Sequence, residues 1–490
     1  MIRRKSKIES LIENRIVLKL TVLPLSGLLW LGGCTVGPKY AKPTAEVPAA
    51  YKETGNWKDA QPSDGIAKGK WWEIYQDPQL NSLEEQISVS NQNLKAAQAQ
   101  FEQARAAVRV SRSFYYPTIS GGAAITGTRQ SQNKALRGTS SSVVTYADYQ
   151  IPVDMSYEAD VWGRIRRTVE SSRAQAQASA ADLANVDLSL HSELALDYFE
   201  LRGLDAQKQL LETSVVAFQK ALDLTQNRYQ GGIASAVDVA QAQTVLETTR
   251  AQAIDVGVQR AALEHAIAVL IGQPAAKFSL SPLPLASPPP SIPEGLPSEL
   301  LERRPDIAAA ERRVQAANAQ IGVARAAYFP LITLNGSGGF ESAAISTLIQ
   351  GPAGFWSIGP AAIETLFDAG RRRAISDQAR SAYNQSVALY RESILTAFQE
   401  VEDNLAALRI LQEESQTQTA AVTAAERSLT LSNNRYKGGV SNYLEVITAQ
   451  NAALSNERTA VDLLTRRMAA SVLLIKAIGG GWNVSQIPPV

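Results

Sequence analysis

The sequence predicts an α+β membrane protein built by internal duplication, in which two pairs of amphipathic strands join two very long helical hairpins. Three observations carry this. Residues 222 to 243, LDLTQNRYQGGIASAVDVAQAQ, return 207 positions later at 429 to 450 as LTLSNNRYKGGVSNYLEVITAQ, with ten identities in 22 aligned places. No proline interrupts 164–229 or 371–436, so each stretch can form a helix of about 100 Å at about 1.5 Å per residue. Finally, Tyr149, Ile151, Val153, Met155 and Tyr157 alternate with Gln150, Pro152, Asp154 and Ser156. That period of two gives a strand one apolar and one polar face.

The N-terminus reads as a signal peptide over residues 1–33. Arg3, Arg4, Lys5 and Lys7 precede a mainly apolar run from Ile16 to Leu31, which ends in Leu31-Gly32-Gly33-Cys34. Cys34, the single cysteine, lies where a bacterial lipoprotein is acylated, and alone it forms no intramolecular disulfide. Removing residues 1–33 takes six basic and two acidic residues from totals of 48 and 47, leaving 42 against 45 and a net charge of −3. No basic excess remains to attract nucleic acid.

Residues 34–80 form the lipidated N-terminal arm, rich in Pro and Gly and ending in Trp71-Trp72-Glu73-Ile74-Tyr75. The first repeat, 81–280, begins with a helix from about Leu80 to Phe114, stopped by Pro117. A strand starts near Thr118, a Gly/Ser/Asn-rich loop spans 127–142, and the alternating strand leads into the helix 164–229. A Pro-rich linker follows at 281–297, with seven prolines from Pro282 to Pro297. The second repeat, 298–479, has a helix at 304–329, strands near 331–341 and 355–366, and the helix 371–436; a C-terminal segment, 480–490, closes the chain. The return helices, 235–271 and 441–478, reach only about 55 Å, and the helices before the strands add about 50 Å. Each repeat therefore offers one continuous helix beside one stitched from two pieces.

Both hairpin turns have the same chemistry. A helix closes on Asn-Arg-Tyr, Gly231-Gly232 or Gly438-Gly439 supplies positive φ, and Ser235 or Asn442 caps the next helix. Asp238 and Glu445 occupy equivalent places in the first turn of the return helices, where an acid complements the helix dipole. Neither glycine pair follows a strand or ends in Gly-Lys-Ser/Thr, so neither is a phosphate loop. His191 and His265 are the two histidines, and neither has the spacing of a metal ligand or catalytic base. No catalytic constellation, metal site or cofactor motif emerges, which argues against an enzyme.

Four strands with a lipid-facing side cannot close alone, and open edges in a bilayer leave backbone groups unpaired. Two chains would give eight strands and a filled interior; three would give twelve and room for a lumen.

At this point the chain resembles the TolC-like outer membrane factors, in particular the outer-membrane lipoprotein branch that serves RND-type efflux systems. The resemblance rests on Cys34-Thr-Val-Gly-Pro-Lys-Tyr, on Trp71-Trp72 followed by Asp77-Pro78-Gln79-Leu80, and on the two Arg-Tyr-x-Gly-Gly turns. It rests above all on Leu296-Pro-Ser-Glu-Leu-Leu-Glu-Arg-Arg-Pro-Asp-Ile307, continuing through Ala319-Gln-Ile-Gly322 to Phe329-Pro330. It implies a homotrimer: a 12-stranded outer-membrane β-barrel continuous with a long 12-helix periplasmic α-barrel, lipid-anchored through Cys34 among outer membrane lipids. The function implied is the exit duct of a tripartite efflux system, passing small molecules from an inner-membrane RND-type pump. The closest alternative is the channel of a type I protein secretion system. The tip turns, Arg228, Tyr229, Gly231, Gly232, Ile233, Arg435, Tyr436, Gly438, Gly439 and Val440, would meet a periplasmic adaptor protein. Glu445 takes the family's acidic constriction position, with Asp238 as its duplicate. Thr448 stands where the family often has a second acid.

Overall fold

A computed structural model describes residues 35–53, 69–129, 131, 145–290, 292 and 300–490. The signal peptide and Cys34 lie outside the described residues. After a 3-10 turn at Trp71–Tyr75 come α1 (Pro78–Ser90), α2 (Gln92–Ser113), β1 (Thr118–Gly121), β2 (Ala124–Arg129), β3 (Thr145–Glu158), α3 (Arg164–Gln230) and α4 (Ala236–Leu270). Then follow α5 (Pro305–Ala326), β4 (Leu331–Ser342), β5 (Gly354–Ile363), α6 (Arg371–Lys437) and α7 (Tyr443–Ala477). The helices α3 and α6 each have 67 residues, α4 and α7 each 35, and α2 and α5 each 22.

The expected single helix from Leu80 to Phe114 breaks at Asn91, whose ψ of 127° leaves the helical region. The break has a cause. The Asn91 side chain accepts from Leu94 N at 2.9 Å and donates Nδ2 to the Leu270 carbonyl at 2.7 Å, in a buried setting. One residue thus caps the start of α2 and satisfies a free carbonyl at the end of α4, joining the two helices end to end. In the second half Arg304 satisfies the helix-end carbonyl without capping α5, donating Nη1 to the Ala477 carbonyl at 3.0 Å. At both joints the chain leaves α4 or α7 through a glycine with positive φ, Gly272 at 69° and Gly479 at 93°. A Cβ on either would run into the carbonyl oxygen of Ser90 or Arg303.

The stitched helices stand beside the continuous ones as columns. Helix α3 packs against α2 and α4, and also against α5 and α7, which in turn pack against α6. The column order is α2/α4, α3, α5/α7, α6. The antiparallel sheet runs in the same order, β1 and β2 on β3, then β4, then β5, so each column continues into one strand when β1 and β2 are counted as a single interrupted strand. β1 and β2 hold one register on β3, Gly121 opposite Val153 and Ala124 opposite Gln150. The gap between them faces Pro152, which has no N–H to donate, although Gly122 N still reaches the Pro152 carbonyl at 3.0 Å.

Register gives the sheet two unlike faces. On one, Ile119, Met155, Gly336 and Ile358 form a row, as do Ile151 and Phe340; on the other, Ser120, Asp154, Ser337 and Ser357 line up. Ile119, Ile151, Val153, Trp356 and Ile358 are exposed. Among the described residues no helix is long and apolar enough to cross a membrane.

The largest core lies halfway along the columns. Trp71, Trp72, Leu80, Leu83 and Ile87 pack there with Leu194, Tyr198 and Leu201 of α3, Val401 and Leu405 of α6, and Val472 and Ile475 of α7. The arm runs from the sheet base towards this core. Val36 N donates to the Trp162 carbonyl at 3.1 Å, Arg167 Nη2 to the Pro38 carbonyl at 3.1 Å, and the Lys52 and Glu53 amides to the Glu402 carboxylate at 2.7 and 3.0 Å.

Asn91→Ala should lower stability by about 1 to 3 kcal/mol, because it leaves a buried carbonyl without its donor and removes a cap. Asn91→Asp keeps the cap but sets a carboxylate oxygen against the buried Leu270 carbonyl, so it should cost at least as much. Thermal unfolding of both variants checks this.

Candidate functional site at the helical tips

Both hairpin turns close by the same backbone pattern. Gly232 N donates to the Tyr229 carbonyl and Ile233 N to the Arg228 carbonyl, at 2.9 and 2.8 Å; Gly439 and Val440 repeat this on Tyr436 and Arg435, at 3.0 and 2.9 Å. These paired bonds satisfy the last carbonyls of α3 and α6 and require a left-handed residue just past the helix. Only the second glycine of each pair has it. Gly232 and Gly439 have φ of 71° and 75°, whereas Gly231 and Gly438 lie at −79° and −73°. Each pair thus supplies the expected positive φ through its second glycine, while the first is still a helix-end residue.

The caps of the return helices differ. Ser235 Oγ accepts from Asp238 N at 3.2 Å, while the Asp238 carboxylate accepts from Ser235 N at 2.9 Å and Oγ at 3.0 Å. This capping box occupies the Asp238 carboxylate. Asn442 Oδ1 accepts from Glu445 N at 3.3 Å, but the Glu445 carboxylate turns away from the cap, half exposed, with Arg435 Nη2 at 3.7 Å. Glu445 is therefore free of the cap bonds that hold Asp238.

A cross-repeat clamp, absent from the sequence reading, joins the two turns. Arg228 Nη1 donates to the Tyr436 carbonyl at 2.9 Å and to the Lys437 carbonyl at 3.3 Å, and its guanidinium lies 4.5 Å from the Tyr436 ring centroid. A cation at the end of α6 also suits the negative pole of that helix. Tyr436 is buried against Tyr443, with ring centroids 5.3 Å apart. The aligned partners, Arg435 and Tyr229, have no such contact in the chain; Tyr229 is exposed, as are Ile233 and Val440. Alignment of the two Arg-Tyr pairs was the available signal, but which pair would be buried depends on column order.

The histidines are far from the tips. His265 is exposed on α4. His191 is buried in the core, its Nδ1 2.6 Å from Glu84 Oε2 and its ring stacked on Trp72 with centroids 4.4 Å apart. Burial pushes the Glu84 carboxyl up to about 7, partly offset by His191. Burial pulls His191 down, but its bonds to Asp187 and Glu84 outweigh this and carry it to about 9. The group fastens α1 and the Trp71–Tyr75 turn to α3.

Residues 83–273 and 296–480 match the Outer membrane efflux protein family. The chain belongs to that family. It is 33% identical to the toluene efflux pump outer membrane protein TtgI of Pseudomonas putida over 96% of this chain and 100% of that one. Identity to the outer membrane protein OprJ of Pseudomonas aeruginosa is also 33%, over 93% and 94% of the two chains. Among solved structures, the outer-membrane channel OprN superposes with a TM-score of 0.86 at 30% identity, over 92% of this chain and 100% of its own. The CmeC outer membrane channel of Campylobacter jejuni gives 0.87 at 25%, over 92% and 96%. The expected likeness to TolC-like factors holds. This outer membrane efflux protein is a channel of the outer membrane with a helical periplasmic extension, and it is not an enzyme. Relatives named for efflux favour that reading over type I secretion.

Arg228→Ala should speed amide hydrogen exchange around 434–442, since charge-assisted bonds of this kind contribute about 1.5 to 3 kcal/mol; Arg228→Lys should recover part of the loss. The buried pair gives a pH dependence. Both folded values lie above the ordinary ones, 4.5 for Glu84 and 6.5 for His191, so the folded state binds more protons between them and its stability falls as pH rises from about 5 to about 9. Melting temperature against pH should slope down across that window, and the double change Glu84→Gln/His191→Phe should flatten it.

Proposed function

We propose that three copies close side by side into the exit duct of a tripartite efflux system, with twelve strands in the outer membrane above twelve helical columns in the periplasm. One observation carries this reading. The sheet ends in unpartnered strands, β1/β2 and β5, and the exposed large apolar residues of the long helices gather on the two outermost columns. These are Val237, Ile254, Val258 and Val269 on α4, and Ile375, Leu389, Leu395, Ile410 and Leu431 on α6, against Val216 and Tyr229 on α3 and Leu444 and Leu473 on α7. Edges of this kind need partners in hydrocarbon and in water alike. Equal helix lengths in the two halves, and a family match that covers each half, support the internal duplication. Six similar units would then surround the duct.

The apolar sheet face would meet outer membrane lipids. Thr35, which follows Cys34, lies against Gly163 where β3 passes into α3, and this supports a diacylglycerol thioether and an acylated amino group on Cys34 at the membrane surface. At the far end, exposed Ile233 and Val440, with Gly231-Gly232 and Gly438-Gly439, would seat a periplasmic adaptor coupled to an inner-membrane RND-type pump. Glu445 of each copy would converge at the constriction, its charge moderated by Arg435, with Asp238 as a weaker, capped contributor.

Detergent-solubilised protein should sediment as a trimer without its pump; a stable monomer with full channel activity would overturn the assembly. Val153→Arg should impair membrane assembly by about 2 to 4 kcal/mol near mid-bilayer, where Asp154→Asn is tolerated. In planar bilayers Glu445→Ala should change conductance and cation selectivity. If Glu445→Ala and Glu445→Lys both leave these and their salt dependence unchanged, Glu445 does not line the constriction.

A further inference from the structure

The duplication also assigns the contacts between copies, residue by residue. Inside the chain, the continuous helix of the first half, α3, lies beside the stitched column α5/α7 of the second. They approach closely at Gly203, where a Cβ would run into the Thr465 side chain. Adding 207 to one position and subtracting 207 from the other carries this contact to Ile410 of α6 and Val258 of α4. Both face solvent in the single chain, at 51% and 69% exposure. They also lie on the two edge columns. Two large apolar side chains at facing positions suit a covered seam, which at this height must be wider than at Gly203 and Thr465 to admit both.

The tips obey the same mapping. Arg228, which holds the carbonyls of Tyr436 and Lys437, corresponds to Arg435, and those carbonyls correspond to Tyr229 and Gln230. Arg435 has only the long contact to Glu445 at 3.7 Å, and Tyr229 is 50% exposed. Guanidinium has five N–H donors, so Arg435 can hold Glu445 and a neighbour's carbonyls at once.

The sheet provides an independent check. From the helix before the strands to the first strand the halves align at an offset of 213, as Tyr116-Pro117 on Phe329-Pro330; Tyr149 pairs with Ser342 on the β3–β4 seam, so subtracting 213 from the β4 number and adding 207 to the β3 number sets Trp356 opposite Arg129. The same register sets Ser357 opposite Thr128 and Pro360 opposite Ile125. Away from the Trp356–Arg129 end, polar Ser357 meets polar Thr128 and apolar Pro360 meets apolar Ile125; a slip of one residue would invert both faces.

We propose that α6 of one copy docks on α4 of the next, with Ile410 against Val258 and the Arg435 guanidinium on the Tyr229 and Gln230 carbonyls of its neighbour. This repeats between copies the Arg228 clamp seen within one. It rests on the three-copy assembly and adds its handedness and register.

The test is disulfide formation in isolated outer membranes from cells co-expressing Val258→Cys and Ile410→Cys chains that carry different tags. A covalent species containing both tags should form under mild oxidation and vanish on reduction. Val269→Cys with Ile410→Cys, displaced along α4 beyond disulfide reach, should give none, and each single variant alone should give none. In the same membranes, Arg435→Ala should accelerate hydrogen exchange over 227–235, and Arg435→Lys should recover part of it. A trimer by sedimentation without the Val258–Ile410 cross-link overturns this seam and leaves the three-copy assembly standing. A monomer overturns both. Equal cross-linking by the displaced pair overturns the register.

Discussion

An unpaired strand edge in hydrocarbon strands one N–H or C=O group after another, at several kcal/mol each, and the architecture of this chain follows from that constraint. Its sheet has two such edges, β1/β2 and β5. Each strand runs on into a helical column, so the number of strands fixes the number of columns and their order. Below the sheet the constraint changes in kind, because helices satisfy their own backbone and water surrounds them. What must be covered there is apolar side-chain area, and it lies on α4 and α6.

The polar work is concentrated where helices end. Asn91 and Arg304 satisfy carbonyls at the ends of α4 and α7, Arg228 those at the end of α6, and glycines at 232 and 439 turn the remaining carbonyls inward. Helix ends are the only places in such columns where backbone groups lack partners. A duct built of long helices can therefore concentrate its adjustable contacts at a few heights: the joints, the mid-height core and the tips.

Much of this was legible in the sequence. The proline-free runs gave α3 and α6 to within one residue at the tip, and the period of two in Tyr149–Tyr157 gave β3 and the separation of its faces. Those signals are local, set by backbone rules that act over a few residues. The break at Asn91 was missed because an asparagine in a polar helix resembles a surface residue until the Leu270 carbonyl is brought beside it, 179 positions away. Arg228 was recognised as part of a turn but not as a clamp, since its acceptors belong to the other repeat. The Glu84–His191 pair escaped for the same reason: burial is a property of packing between α1 and α3. Glu445 and Asp238 read alike in sequence, and only Ser235, by engaging one carboxylate, separates them.

The joints at Asn91 and Arg304 also bear on how the columns yield to force. Within α3 or α6 a bend must stretch a ladder of i→i−4 bonds, but between α4 and α2, or between α7 and α5, no such ladder crosses the gap. The side-chain bonds there can swing while remaining made. Stiff rods thus alternate with jointed ones at a common height beside the Trp71–Trp72 core, the one level at which half of the columns lack a backbone ladder to resist bending.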